Sequence, residues 1–157
     1  MKLFDPVTLM NENVEANATR RDPLPMGEVV AQITKLEFSE GTVKKQGPNQ
    51  GKPWNRLDCT LEITDPEYLA QVPGTPEKAI TNLGVMLDLQ NGTIATGPNK
   101  NIRLGRLRAA TETNGKPLAM MEGCYIRIAI GHKPHPTEVD EDGNPVILDE
   151  IVSYTKV

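Results

Sequence analysis

Aromatic residues are scarce in this chain: one Trp, three Tyr and two Phe make up 4% of its 157 residues. Cysteine is limited to Cys59 and Cys124, too few for a disulfide scaffold. Each sits in an alternating apolar run where a thiol serves as a small hydrophobe, so both are expected to be buried. The only histidines, His132 and His135, lie in a proline-rich stretch, which leaves nucleophile-plus-base chemistry without a positioned base and argues against an enzyme. Long apolar runs are missing too. No stretch approaches the roughly 18 apolar residues of a membrane span, and the opening MKLFDPVTLM is broken by Asp5 and Pro6, which excludes a signal h-region. A soluble protein of the cytoplasm is expected.

What is present is turn-forming and mildly acidic. Gly 13 and Pro 13 beside 38% apolar residues argue for many turns around short strands, not a helical bundle. The formal net charge of −4 does not point to a phosphate polymer, whose binding rests on local Lys and Arg fields. The length fits one domain with a modest extension. Residues 1–26 read as an arm or linker, with Leu3, Phe4, Val7, Leu9 and Met10 available to dock on the domain or on a second subunit.

From residue 27 the pattern is strand-like. Residues 28–38 (EVVAQITKLEF) alternate until the register slips, which predicts a bulge near Lys35. Residues 41–53 (GTVKKQGPNQGKP) read as a long basic loop. Residues 54–64 (WNRLDCTLEIT) form the cleanest strand, with Leu57, Cys59, Leu61 and Ile63 on one face and Trp54, Arg56, Asp58, Thr60 and Glu62 on the other. Asp65-Pro66-Glu67 starts a helix of one or two turns. Residues 83–89 give a third strand, 91–99 are turn-rich, and 101–113 form a basic amphipathic helix, with Asn114-Gly115 as its stop. Residues 123–132 and 146–157 supply two more strands, joined by a long turn with an acidic tip. Three strands, a helix, then two strands predict a mainly β, five-stranded OB-fold-like barrel over residues 27–157, with the helix between strands 3 and 4. The competing architecture is a generic five-stranded sandwich.

Candidate chemistry is sparse. GPNQGK has the wrong spacing for a phosphate-binding loop. His132 and His135 with Asp140, Glu141 and Asp142 make a weak metal pattern, for which a solvated acidic turn is the better account. No cofactor is expected. The basic residues are clustered: Lys44, Lys45 and Lys52 in the loop, and Lys100, Arg103, Arg106, Arg108 and Lys116 around the helix against the single acid Glu112. Trp54 beside Arg56, and Tyr125 beside Arg127, each place a ring two residues before a guanidinium on an outward strand face, a pattern that suits base stacking with phosphate pairing. Phe38 and Tyr154 are weaker stacking candidates because both fit the core. The acidic turn at 138–142 would repel phosphate and is expected to act as a gate or as a docking point for a basic partner.

The segments GEVVAQI, GKPWNRLDCTLEI, VMLDL and NKNIRLGRLRAATETNG followed by MEGCYIRIAI together resemble bacteriophage single-stranded DNA-binding proteins of the small OB-fold type. The likeness covers most of residues 20–132. It implies sequence-tolerant binding of single-stranded DNA in phage replication or recombination, in the host cytoplasm, and recruitment of replication or recombination proteins. The sequence ends in SYTKV and not in the acidic tail by which many such proteins engage partners, so recruitment by that route is not expected. The expected contacts are Trp54 and Tyr125 for stacking, and Lys44, Lys45, Lys52, Arg56, Arg103, Arg106 and Arg127 for phosphate. The alternative is a phage virion or assembly component in which the barrel is a structural module and the arm links subunits into a homo-oligomer.

Overall fold

The computed structural model describes residues 22–157. The arm residues proposed to dock, Leu3 to Met10, lie outside the described residues. In chain order the elements are β1 (Gly27–Thr42), β2 (Pro53–Ile63), a one-turn helix α1 (Pro66–Leu69), β3 (Ala79–Leu87), β4 (Leu89–Gln90) and β5 (Thr93–Ile94). There follow α2 (Ile102–Thr111), a 3₁₀ turn (Leu118–Met121), β6 (Tyr125–Val139) and β7 (Pro145–Thr155).

The five long strands form one antiparallel sheet in the order β3-β2-β1-β6-β7. Three consecutive strands are thus followed by one that returns beside the first, a Greek key. Among the described residues no hydrogen-bonded ladder joins β3 to β7, so the sheet is not a closed barrel. The two edge strands approach each other, and α2 packs against β3, β6 and β7 over that gap.

Burial follows the alternation. Val29, Ala31 and Ile33 of β1, Leu57, Cys59, Leu61 and Ile63 of β2, Leu83 and Val85 of β3, and Ile126, Ile128 and Ile130 of β6 are all buried. Leu104, Leu107 and Ala110, at helical spacing on α2, close this core from one side, and Met121 joins them. Each fully buried Leu or Ile contributes about 1.5–3 kcal/mol. The expected bulge is present: the β1–β2 register shifts between Ile33 and Lys35, after which the even-numbered residues Leu36 and Phe38 face inward.

Several boundaries differ from the sequence reading. The basic loop is shorter than expected because β1 runs on to Thr42, and the bonds Val43 N–H to Lys52 O and Gly51 N–H to Val43 O tie its base. The third strand is Ala79–Leu87, and Leu89 leaves it for a small hairpin. Asn91 and Gly92, at φ 53° and 77°, form the two-residue turn of that hairpin, for which Asn-Gly is the preferred pair. The helix ends not at Asn114-Gly115 but at Glu112, which takes the left-handed φ of 57° while Thr113 N–H bonds back to Arg108 O. The stretch expected to be a long turn after His132 is strand: β6 continues through Pro134 and Pro136, and only residues 140–144 turn. Proline is tolerated there because the β6–β7 register breaks between Pro134 and Val139.

Residues just before β1 belong to the folded body. Leu24 is only 2% exposed; its N–H donates to Asp149 Oδ1 at 2.6 Å, and its carbonyl accepts from His132 Nε2 at 2.6 Å. The Tyr68 hydroxyl donates to Pro25 O at 2.7 Å, binding the same segment to α1. Asp65 caps α1 as expected, its Oδ1 accepting from Glu67 N–H at 3.0 Å.

Candidate nucleic-acid interface

The outward face of β1, β2 and β3 carries Trp54 and Arg56 of the residues singled out above, and register explains their arrangement. Trp54 lies opposite Gly41, Arg56 lies between Ser39 and Met86, and Asp58 lies between Glu37 and Gly84. The indole rests on Gly41 so closely that a Cβ there would come within 2.6 Å of its Cζ2. The Arg56 side chain rests in the same way on Gly84, where a Cβ would come within 2.9 Å of its Cδ. Arg56 then stands over the Trp54 ring, its guanidinium carbon 5.2 Å from the ring centroid.

Asp58 holds this arrangement from beneath. Its carboxylate accepts from Arg56 Nε and from the Ser39 hydroxyl, the latter at 2.7 Å. Partial desolvation pushes the Asp58 carboxyl up, but the Ser39 and Arg56 hydrogen bonds and the Arg56 charge outweigh it and hold it below the usual carboxylate range. The result is a cation–ring pair laid on two glycines, in which Arg56 lies over the indole and Asp58 holds Arg56. On the other face, burial, helped by the Asp58 charge, pushes the Cys59 thiol up to about 12, so it is an inert core residue. Cys124 departs from expectation: it is only half-buried, with Sγ 3.4 Å from Met120 O.

Arg56 continues into a polar groove of about 310 Å³ in the gap between β3 and β7. Arg56, Arg103 and Lys133 line it from β2, α2 and β6, with Asn82 and Gly84 as part of its floor and Asp149 and Glu150 on the β7 side. Arg103 is held there because its carbonyl accepts from the Tyr154 hydroxyl at 2.8 Å. Tyr154 therefore ties α2 to β7 and is half-buried, while Phe38, also assigned to the core by sequence, is 67% exposed.

The other predicted contacts divide into two groups. Lys44, Lys45 and Lys52 are exposed on the β1–β2 loop that directly precedes Trp54, and Lys52 Nζ donates to Asn49 Oδ1 at 3.3 Å. Arg106 is exposed on α2, three residues beyond Arg103 and so on the same side of the helix. Tyr125 and Arg127 are exposed and outward-facing on β6, as the alternation requires. The structure does not bring them to Trp54. Tyr125 pairs with Gln32 and Trp54 with Gly41, positions nine residues apart on β1, about 30 Å of strand at ~3.3 Å per residue. The two rings therefore do not adjoin, and a strand that met both would have to run that distance along the sheet.

No protein-family model and no curated protein matches the chain. The site's meaning therefore rests on its geometry. Among the described residues no group of three or more His, Cys, Asp and Glu side chains is gathered for a metal. His135 Nδ1 is occupied instead as an acceptor from Thr137 and Glu138 N–H, at 3.2 and 2.9 Å. In the acidic tip, Asp140 is committed to the turn, its Oδ1 accepting from Asp142 and Asn144 N–H, both at 2.9 Å. Among the described residues no helix is long and apolar enough to cross a membrane.

Sequence reasoning misses Lys133 because no local pattern marks a lysine between histidine and proline as a groove residue. It misses the two supporting glycines because they matter only through cross-strand register. The Asn91-Gly92 hairpin had a local signal in that dipeptide. Its excursion is fastened by Asn101, whose side chain accepts from Asp88 N–H at 2.7 Å and donates to Asp88 O and Ala95 O, both at 2.9 Å.

Proposed function

We propose that this chain binds single-stranded DNA without regard to sequence, through an OB-fold-like domain serving phage replication or recombination. The observation that carries this reading is the Trp54–Arg56 platform on Gly41 and Gly84, continuous through Arg56 with the groove that holds Arg103 and Lys133. A base that stacks on the Arg56 guanidinium plane, or takes its place on the indole, gains about 1–3 kcal/mol whatever its identity. Guanidinium and ammonium groups alongside neutralise phosphates without reading sequence. The strand order, with a helix over the gap between β3 and β7, supports a partly open Greek-key barrel. In such folds the ligand crosses the second and third strands between the β1–β2 loop and the loop joining the last two strands, which here are the lysine loop and the β6–β7 turn.

In this reading the protein takes no catalytic step and needs no cofactor. It works in the host cytoplasm, protects the strand, and brings in replication or recombination proteins, while the arm mediates self-association. The test is a titration of Trp54 fluorescence with oligothymidylate at low and at high salt, alongside a gel shift. Quenching that weakens steeply with salt is expected. Silence in both assays at micromolar protein refutes the reading and transfers it to an assembly component, whose oligomers then disappear on removal of residues 1–20.

A further inference from the structure

Phe38 is exposed although it stands on the core-facing side of the sheet. It pairs with Leu57, a buried residue, so both project to the same face. The core ends at this point: β3 stops at Leu87, which pairs with Asn55, and among the described residues no strand covers the ring beyond it. The inward face continues as an open trough of about 480 Å³, walled by Phe38, Leu87, Leu89, Ile94 and Leu118, with Asn55 and its cross-strand partner Glu40 as polar groups on its side. A second hollow of about 500 Å³ shares Asn55, Leu87 and Leu89 and extends the trough past Pro53 to Lys100.

We infer that this trough is a second seat for a nucleobase of the bound strand, with Phe38 as its stacking ring, Asn55 as hydrogen-bonding partner to the base edge, and Lys100 as phosphate contact. The inference rests on the single-strand reading and adds a site to it. Three observations select this occupant. Trp54 and Asn55 are consecutive on β2 and project to opposite faces, so the trough opens at the same end of the hairpin as the platform. One cation, Lys100, lines the far end of the second hollow beside Asp88, where its ammonium can meet a phosphate of the strand. The trough offers one exposed ring for stacking, with the Asn55 amide and the Glu40 carboxylate beside it as polar groups for a base edge.

The full-length protein, its Phe38→Ala, Phe38→Leu and Trp54→Ala variants, and a labelled oligothymidylate cut to the shortest length that binds fully provide the test. Phe38→Ala and Phe38→Leu should each weaken binding by about tenfold or more, since either removes the ring. Their thermal midpoints should stay near wild type, because the ring is exposed; Phe38→Leu keeps the experiment decisive should the alanine variant fold poorly. One abasic position is then walked along the strand. Wild type should lose affinity at two positions, Phe38→Leu at only the one served by Trp54, and Trp54→Ala at only the other. Unchanged affinity in the Phe38 variants, with Trp54→Ala weakened, overturns the second seat and leaves the first standing. Absence of binding by wild type overturns both. Phe38 variants that bind DNA normally but lose self-association make the trough a contact between copies and overturn the inference.

Discussion

Gly41→Ala attacks the stacking platform from its floor and leaves every cation in place. The backbone of Gly41 is not in the left-handed region, so alanine is conformationally allowed and its effect arises from the Cβ alone. That carbon would lie 2.6 Å from Trp54 Cζ2 and 2.8 Å from Cε2, where carbon atoms prefer about 3.5–4.0 Å. The indole must therefore lift or swing by about 1 Å, which breaks its alignment with Arg56. Two small effects on stability oppose each other: a partly exposed cation–ring contact contributes about 0.5–1 kcal/mol, and replacing glycine by alanine recovers about 0.4–1 kcal/mol through the unfolded chain. The melting temperature should therefore barely move. Binding should fall by about 5- to 150-fold if the 1–3 kcal/mol of base stacking is lost. The assay is fluorescence anisotropy of labelled oligothymidylate with wild type, Gly41→Ala, Trp54→Ala and the double variant. Because both changes act on one ring, the double variant should bind no more weakly than Trp54→Ala alone. Additive losses, or a Gly41→Ala protein that binds within about twofold of wild type while Trp54→Ala does not, would refute the platform.

Further outcomes follow from other parts of the molecule. Replacing Arg103 and Lys133 together by Ala should flatten the plot of log affinity against log salt by about 1.4, at ~0.7 per lost phosphate contact on a single strand; an unchanged slope removes the groove from the interface. Leu24→Ala should cost about 2–5 kcal/mol and lower the melting temperature by several degrees, because this buried side chain precedes the first strand; a protein as stable as wild type would show the segment to be dispensable. Asp58 has a lowered pKa in the folded protein, so its clamp contributes stability above the ordinary value of 3.8 and loses it as pH falls through the lower, folded value. Acid titration of unfolding should show that loss in wild type and not in Asp58→Asn, and identical acid limbs would contradict it.

Much of the fold was legible because two-residue periodicity is a local property. Residues 54–64 announce their inward and outward sets without reference to any other segment, and the break after Ile33 announces the bulge. The long turn after His132 was misread because proline and an Asp-Gly pair usually signal loop, yet an edge ladder with a register break accommodates both prolines. The candidate site was legible only as separate pieces. Ring-then-arginine spacing marked Trp54 with Arg56 and Tyr125 with Arg127 equally, although only the first pair adjoins the lysine loop.

The sequence by itself determined the inward set of the best-alternating strands, the approximate place of five strands and the main helix, that cations concentrate at residues 44–52 and 100–116, and that two cysteines form no scaffold. These depend on covalent order and the strand and helix periods alone. Tertiary structure alone decided which outward residues are neighbours. Strand pairing set Trp54 on Gly41 and Arg56 on Gly84, the return of β6 beside β1 placed Tyr125 about 30 Å of strand away, and the gap between β3 and β7 gathered Arg56, Arg103 and Lys133. The reason is that register is a relation between segments distant in sequence, selected by burying many apolar faces at once. The exposed residues that form a site take positions dictated by that shared core.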